Sequence, residues 1–99
     1  MNIDYQRDGK TLTVIPEGRI DTLTAPEFLT QVQAEVGDTN ELIVDFSQVS
    51  YVSSAGLRAL LTLAQEMEDH DGTIKGVNVS DFLRKAFELT GFLDVLNID

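Results

Sequence analysis

Residues 42–68, LIVDFSQVSYVSSAGLRALLTLAQEME, decide how this chain folds. Leu42-Ile43-Val44 is an unbroken apolar run closed by Asp45, which suits a strand in the middle of a sheet covered on both faces. Past Asp45 a loop is expected to turn Val49, Tyr51 and Val52 inward. From Ser53-Ser54-Ala55-Gly56 onward, Leu57, Leu60, Leu61 and Ala64 recur at the period of an amphipathic helix. Ser54 stands where such a helix takes its N-cap, with a hydroxyl able to accept from a first-turn N–H. Ala55 and Gly56 add almost no side chain, so whatever approaches Ser54 comes close to the backbone at the positive end of the helix dipole. Two readings stay open on these residues alone: a capped turn whose Gly serves packing, or a surface site built on Ser54.

Length and charge narrow the rest. Ninety-nine residues make one domain, 1–99, able to bury about two-thirds of the unfolded chain's surface. No apolar run approaches the roughly 18 residues of a membrane span. The opening Met-Asn-Ile-Asp-Tyr has no basic region followed by an apolar stretch, so no secretory signal is read there. The chain has no cysteine, hence no disulfide or Cys-based metal site, which fits a cytoplasmic protein. A net charge of −10 argues against nucleic acid and anionic membrane as ligands, and favours a basic protein surface as partner. No cofactor motif is present.

Upstream of the central run, Ile3 and Tyr5, then Leu12 and Val14, alternate with polar neighbours around Asp8-Gly9. This predicts an antiparallel hairpin over 2–7 and 11–16, with Pro16 at an edge or bulge. Gly18-Arg19-Ile20-Asp21 leads into a loop. Thr24-Ala25-Pro26-Glu27 reads as a capping box, with Leu23 and Phe28 as its hydrophobic staple. Phe28 or Leu29, Val32 and Val36 form the buried stripe of that helix, which Gly37 ends.

Downstream, the acidic end of the organising helix, Glu66 to Asp71, lacks the spacing of an EF-hand loop, and His70 reads as an exposed turn residue. Residues 73–79 predict a strand whose Gly76 permits a close backbone approach or a bulge. Ser80 is the expected cap of a last helix with apolar Phe82, Leu83, Ala86, Phe87 and Leu89. Gly91 should end it, with Phe92 folding back onto Phe87, and 95–98 should form a final strand. The resulting order, ββαβαβαβ, predicts an α/β domain whose mixed, mostly parallel sheet starts with an antiparallel hairpin. The Ser54 turn then lies at the carboxyl end of the central strand, where open α/β sheets place their sites.

The segment Asp45-Phe46-Ser47-x-Val49-x-Tyr51-Val52-Ser53-Ser54-Ala55-Gly56-Leu57 resembles the signature of STAS domains, specifically the bacterial anti-sigma-factor antagonists. Gly18-Arg19-Ile20-Asp21 and the run from Val79 to Phe92 resemble two further segments of that family, so the likeness spans nearly the whole chain. The chain departs from the family pattern in carrying Ser53 for an Asp and Ala55 for a Ser or Thr. The resemblance implies that a partner kinase phosphorylates Ser54. Asp21 is carried over by the same resemblance. Because the loop before the first helix and the turn before the second both sit at the carboxyl edge of the sheet, Asp21, Thr22, Ser53, Ser54, Ala55, Gly56 and Arg58 are expected on one partner-binding patch. A bulky residue at 56 should block the partner there and spare the fold.

Three function classes follow. By resemblance, the chain is an anti-sigma-factor antagonist that binds an anti-sigma factor doubling as a serine kinase, and a PP2C-type phosphatase resets it. The alternative is a non-phosphorylated STAS scaffold subunit of a lipid-transport ATPase complex. An enzyme is disfavoured, because Val52 occupies the first glycine position of a Gly-x-Ser-x-Gly elbow and His70 follows the helix that Ser54 begins.

Overall fold

Gly9, with φ 61°, takes the first of two loop positions between β1 (Ile3–Asp8) and β2 (Thr11–Pro16) in the computed structural model, which describes residues 1–98. Asp8 pairs with Thr11, so the loop is Gly9-Lys10, one residue later than Asp-Gly would place it. A positive φ at the first position alone is the type II′ arrangement, whose twist suits a hairpin. β2 then pairs in parallel with β4 (Glu41–Asp45), and β4 with β6 (Thr73–Val77), giving a sheet in the order β1-β2-β4-β6. The mixed, mostly parallel sheet with its antiparallel hairpin is the architecture expected.

The central strand is covered differently from the expectation. Leu42 and Val44 are fully buried, whereas Ile43 is only half-buried. Helices α1 (Ala25–Val36) and α2 (Ser54–Asp69) pack against each other and against β2 and β6. One face of the sheet therefore carries the core and the other stays partly open. Phe28 and Val32 of α1 meet Leu60, Leu63 and Met67 of α2 over Leu12, Val14, Leu42 and Val44. Each such side chain contributes about 1.5–3 kcal/mol through burial. The buried stripe of α2 is Gly56, Ala59, Leu60, Leu63 and Met67. It is rotated from the expected one, and Leu57, Leu61 and Ala64 fall to its half-buried flank.

Two short strands replace expected loops. β3 (Gly18–Ile20) and β5 (Val49–Val52) pair in parallel as a separate two-stranded sheet, with a bulge after Gly18. Val49 and Val52 face inward as expected, but they do so from a strand.

The closing segment also departs from the expected pattern. Ser80 caps α3 (Asp81–Thr90), accepting from the Leu83 N–H at 3.2 Å. Only Leu83 and Phe87 reach the core, while Phe82 and Leu89 are 65% and 78% exposed. Gly91, with φ 78°, ends α3 and at once begins the short helix α4 (Phe92–Val95), so 95–98 is not a strand. What remains of the expected pairing is two bonds to β6. The Gly76 N–H donates to the Leu96 carbonyl at 2.9 Å, and the Asn97 amide donates to the Ile74 carbonyl at 2.8 Å. Gly76 serves a close approach, since a Cβ there would lie 2.4 Å from Ile98 Cδ1. The ring facing Phe87 belongs to Phe46, edge-on at 5.4 Å between centroids.

Candidate functional site

The small sheet hands the chain to both long helices at one place. Ser53 N–H donates to the Ile20 carbonyl at 2.9 Å, which ties the β5–α2 turn to the β3–α1 loop. That bond holds Ser53 extended, with φ −87° and ψ 178°, and its hydroxyl accepts from the Gly56 N–H at 3.3 Å. Ser53 is therefore the N-cap, and Ser54 is the first residue of α2 rather than its cap. A cap must stay outside helical geometry to turn its oxygen back on the first turn, and the sheet bond selects which of two adjacent serines does so. Ser54 is exposed, and among the described residues its hydroxyl makes no hydrogen bond. Ser and Asp are near-equivalent caps, so Ser53 supplies what an Asp would supply there, without the charge.

Gly56 belongs to the interior. A Cβ at this position would lie 2.4 Å from the Ile20 carbonyl oxygen and 2.8 Å from Val52 Cγ1. That oxygen is the one holding Ser53, so no rearrangement of a side-chain tip makes room. The expectation that a bulky residue at 56 spares the fold is corrected accordingly: Gly56 permits contact between α2 and β3.

The loop before α1 is a knuckle built on Asp21. Its Oδ1 accepts from the N–H groups of Leu23 at 3.0 Å and Thr24 at 3.2 Å, and its Oδ2 accepts from Arg19 Nε at 3.2 Å. The Thr24 N–H lowers the Asp21 pKa most; partial burial opposes this, and Arg19 and the Leu23 N–H add to the lowering. The expected capping box is absent. Thr24 is already helical at φ −98° and ψ −22°, and its hydroxyl donates to the Arg19 carbonyl at 2.6 Å. Glu27 pairs with the Met1 ammonium. Leu23, expected as a staple, is 87% exposed, because Asp21 holds its backbone outward.

Two residues not expected here complete the surface: Arg19, and Tyr51, which is half-buried instead of turning inward with Val49 and Val52 as expected. Arg19 and Tyr51 are neighbours across the β3–β5 pair, and the guanidinium lies 4.5 Å over the ring centre. A shallow groove between the helices is lined by Thr22, Pro26 and Leu29 on one side and Ala55, Arg58 and Thr62 on the other. Thr22, Ala55 and Arg58 are thereby brought together, and the Ile20–Ser53 bond sets Asp21 beside the Ser53-Ser54 turn. Reading Arg19 and Tyr51 as strand residues would have revealed their pairing, since each alternates with an inward Ile20 or Val52.

Asp45 steadies the neighbouring loops. Burial would raise its pKa, but the Ser47 N–H at 2.9 Å and the Asn78 amide at 3.1 Å outweigh that and lower it. His70 is the C-cap of α2, opposite Ser54 along 16 residues, or about 24 Å of helix. No three His, Cys, Asp or Glu among the described residues are placed to hold a metal ion, and no helix among them is long and apolar enough to cross a membrane.

Comparison with known proteins places this arrangement. The anti-sigma-B factor antagonist of Staphylococcus aureus is 28% identical over 102 residues, covering all of this chain and 93% of that one. An anti-sigma factor antagonist from Mycobacterium paratuberculosis superposes with TM-score 0.85 at 24% identity, over 98% of this chain and 83% of that one. The anti-sigma factor antagonist SpoIIAA in its unphosphorylated form superposes with TM-score 0.82 at 18% identity, covering 99% and 88%. Bacillus SpoIIAA in the phosphorylated form gives 0.74 at 19%, covering 99% and 91%. The STAS domain family model matches residues 2–99, and with the fold in agreement this chain belongs to the STAS domain family.

Proposed function

We propose that this chain is an anti-sigma-factor antagonist switched by phosphorylation of Ser54. Unphosphorylated, it binds an anti-sigma factor that is also a serine kinase, so that the sigma factor is released. The kinase passes the γ-phosphoryl group of ATP to Ser54 Oγ, which gives up its proton as ADP leaves, and the pair separates. A PP2C-type phosphatase hydrolyses the phosphoserine and restores binding.

The observation that carries this reading is Ser54 itself: exposed, unbonded through its hydroxyl among the described residues, and the first residue of α2. A kinase can reach that oxygen without unfolding anything. A phosphate there adds about −1.5 to −2 charges at pH 7, and the free N–H groups and dipole of a helix start tolerate such a charge. The domain keeps its fold, and the partner meets the new charge and bulk. The S. aureus relative is named for antagonism of an anti-sigma factor, and SpoIIAA is known in both phosphorylation states, which supports the same role here. Incubation with the cognate kinase and ATP, followed by mass mapping, tests it. A single phosphate on Ser54 is expected; modification at Ser53, or none, would sink the switch.

A further inference from the structure

Arg58 lies one helical turn beyond Ser54, exposed, and among the described residues its guanidinium makes no hydrogen bond or ion pair. The other arginine of this face, Arg19, is already engaged by Asp21 and Tyr51. Arg58 forms the rim of the groove between α1 and α2. Ala25, Ala55 and Ala59 form its floor, and because they are small they leave depth that Pro26 and Leu29 wall with apolar surface. At the near end the Asp21 knuckle holds Leu23 out into solvent.

An apolar projection, an apolar hollow and an unpaired cation thus stand side by side, continuous with the Ser54 turn. The complement of that surface is an apolar side chain for the hollow and a carboxylate for the cation. Charge complementarity selects the carboxylate, since no carboxylate among the described residues pairs with Arg58. We propose that the groove between α1 and α2 receives an apolar side chain of the anti-sigma kinase, that a carboxylate next to it pairs with Arg58, and that Leu23 enters a hollow opposite. The proposal rests on the anti-sigma reading and names the chemistry by which the partner is recognised. Apolar anchors in water-excluding hollows dominate binding at such surfaces, while a paired charge at the rim sets register.

The test is titration calorimetry, without ATP, against the purified anti-sigma kinase that phosphorylates this chain. Leu23→Ala is expected to weaken binding roughly tenfold, and Thr62→Phe, which plugs the groove away from Ser54, by at least as much. Arg58→Glu is expected to lose about 30-fold or more, with Arg58→Lys retaining most of the affinity. One acidic residue of the kinase, changed to Lys, should restore binding to the Arg58→Glu chain. Leu23 and Arg58 are exposed, so their variants stay folded even where Thr62→Phe does not. Wild-type affinity in both exposed-residue variants, with Ser54 still phosphorylated, overturns the groove and leaves the switch standing. Self-association of this chain that Thr62→Phe abolishes makes the occupant a second copy and also overturns it. If no anti-sigma kinase binds or phosphorylates the wild-type chain, the reading and the inference fall together.

Discussion

Helices α2 and α3 start alike and present different surfaces. Each begins after an extended serine whose hydroxyl accepts from the N–H three residues on, Ser53 to Gly56 at 3.3 Å and Ser80 to Leu83 at 3.2 Å. The next residue is exposed in both, Ser54 in one and Asp81 in the other. α3 carries a carboxylate on the positive end of its dipole, whereas the first turn of α2 has no acid. The third helical residue is buried in both, but it is Leu83 in α3 and Gly56 in α2. α3 is a complete structural cap held by a core side chain. α2 is pressed so closely on β3 that it has no side chain at that point, and its dipole meets a neutral hydroxyl. A phosphate on Ser54 would give α2 the charge that α3 has in its sequence.

The largest effects should separate the two buried third positions. Leu83→Ala leaves a cavity and is expected to cost about 2–5 kcal/mol in urea unfolding. Gly56→Ala overpacks and is expected to cost about 1–3 kcal/mol or more, because the clash is with backbone oxygen. If Gly56→Ala were neutral, the tight α2–β3 contact would not distinguish the two starts.

The caps come next. Ser53→Ala and Ser80→Ala should each cost about 1 kcal/mol by thermal or urea unfolding. Ser54→Ala should cost almost nothing, since that hydroxyl caps nothing. A loss at Ser54 as large as at Ser53 would reverse the assignment of the cap.

Charge at the first helical residue is a smaller lever. Ser54→Asp should stabilise by about 0.3–1 kcal/mol, and Asp81→Asn should destabilise by a similar amount, both fading with salt. With phosphoserine installed at 54, Arg58→Gln should remove a further 0.2–0.5 kcal/mol or so from the phosphorylated form alone, as an i, i+4 pair does. Equal melting shifts with Arg or Gln at 58 would show that Arg58 does not hold the phosphate.

The third helix start gives the smallest and most local test. Asp21 organises the knuckle before α1 as a carboxylate, and its folded pKa lies below the ordinary value. Its contribution to stability is therefore fully present above the ordinary carboxylate pKa, and is lost as pH falls through the lower folded value. Asp21→Asn should flatten that part of the acid unfolding profile. A profile identical to wild type would mean that the knuckle does not depend on the charge.

How much of this was legible in advance follows the range of each interaction. The hairpin, the central strand's position, the Ser80 cap and the Gly91 stop depend on residues close in sequence, and the structure has each within a residue or two of where the sequence puts it. The Thr24 capping box was a sound local pattern, but it lost to Asp21 and Arg19, which offered Thr24 and Leu23 better partners. The final strand over 95–98 failed because Gly91 restarted a helix at once, leaving hydrogen bonds at Leu96 and Asn97 and the Ile98 side chain against Gly76 as its links to β6. At the candidate site, the motifs single out Ser54 and Asp21, and the helical spacing from Ser54 singles out Arg58. Neither singles out the Arg19–Tyr51 pair or the groove, because each is assembled from segments far apart in the chain.

The sequence by itself determined three amphipathic helices, a mostly parallel sheet, and an uncluttered serine turn after the central strand. Periodicity, turn residues and small side chains are properties of neighbouring positions, and they act in the unfolded chain as well as the folded one. Only the tertiary structure decided which of two adjacent serines caps α2 and which is left open, and that Gly56 is interior. Those outcomes hang on one hydrogen bond from Ser53 to Ile20 and on the close approach of α2 to β3. Such contacts exist only once remote segments have been brought together, because their chain-entropy cost is met by the core as a whole and not by the residues that make them.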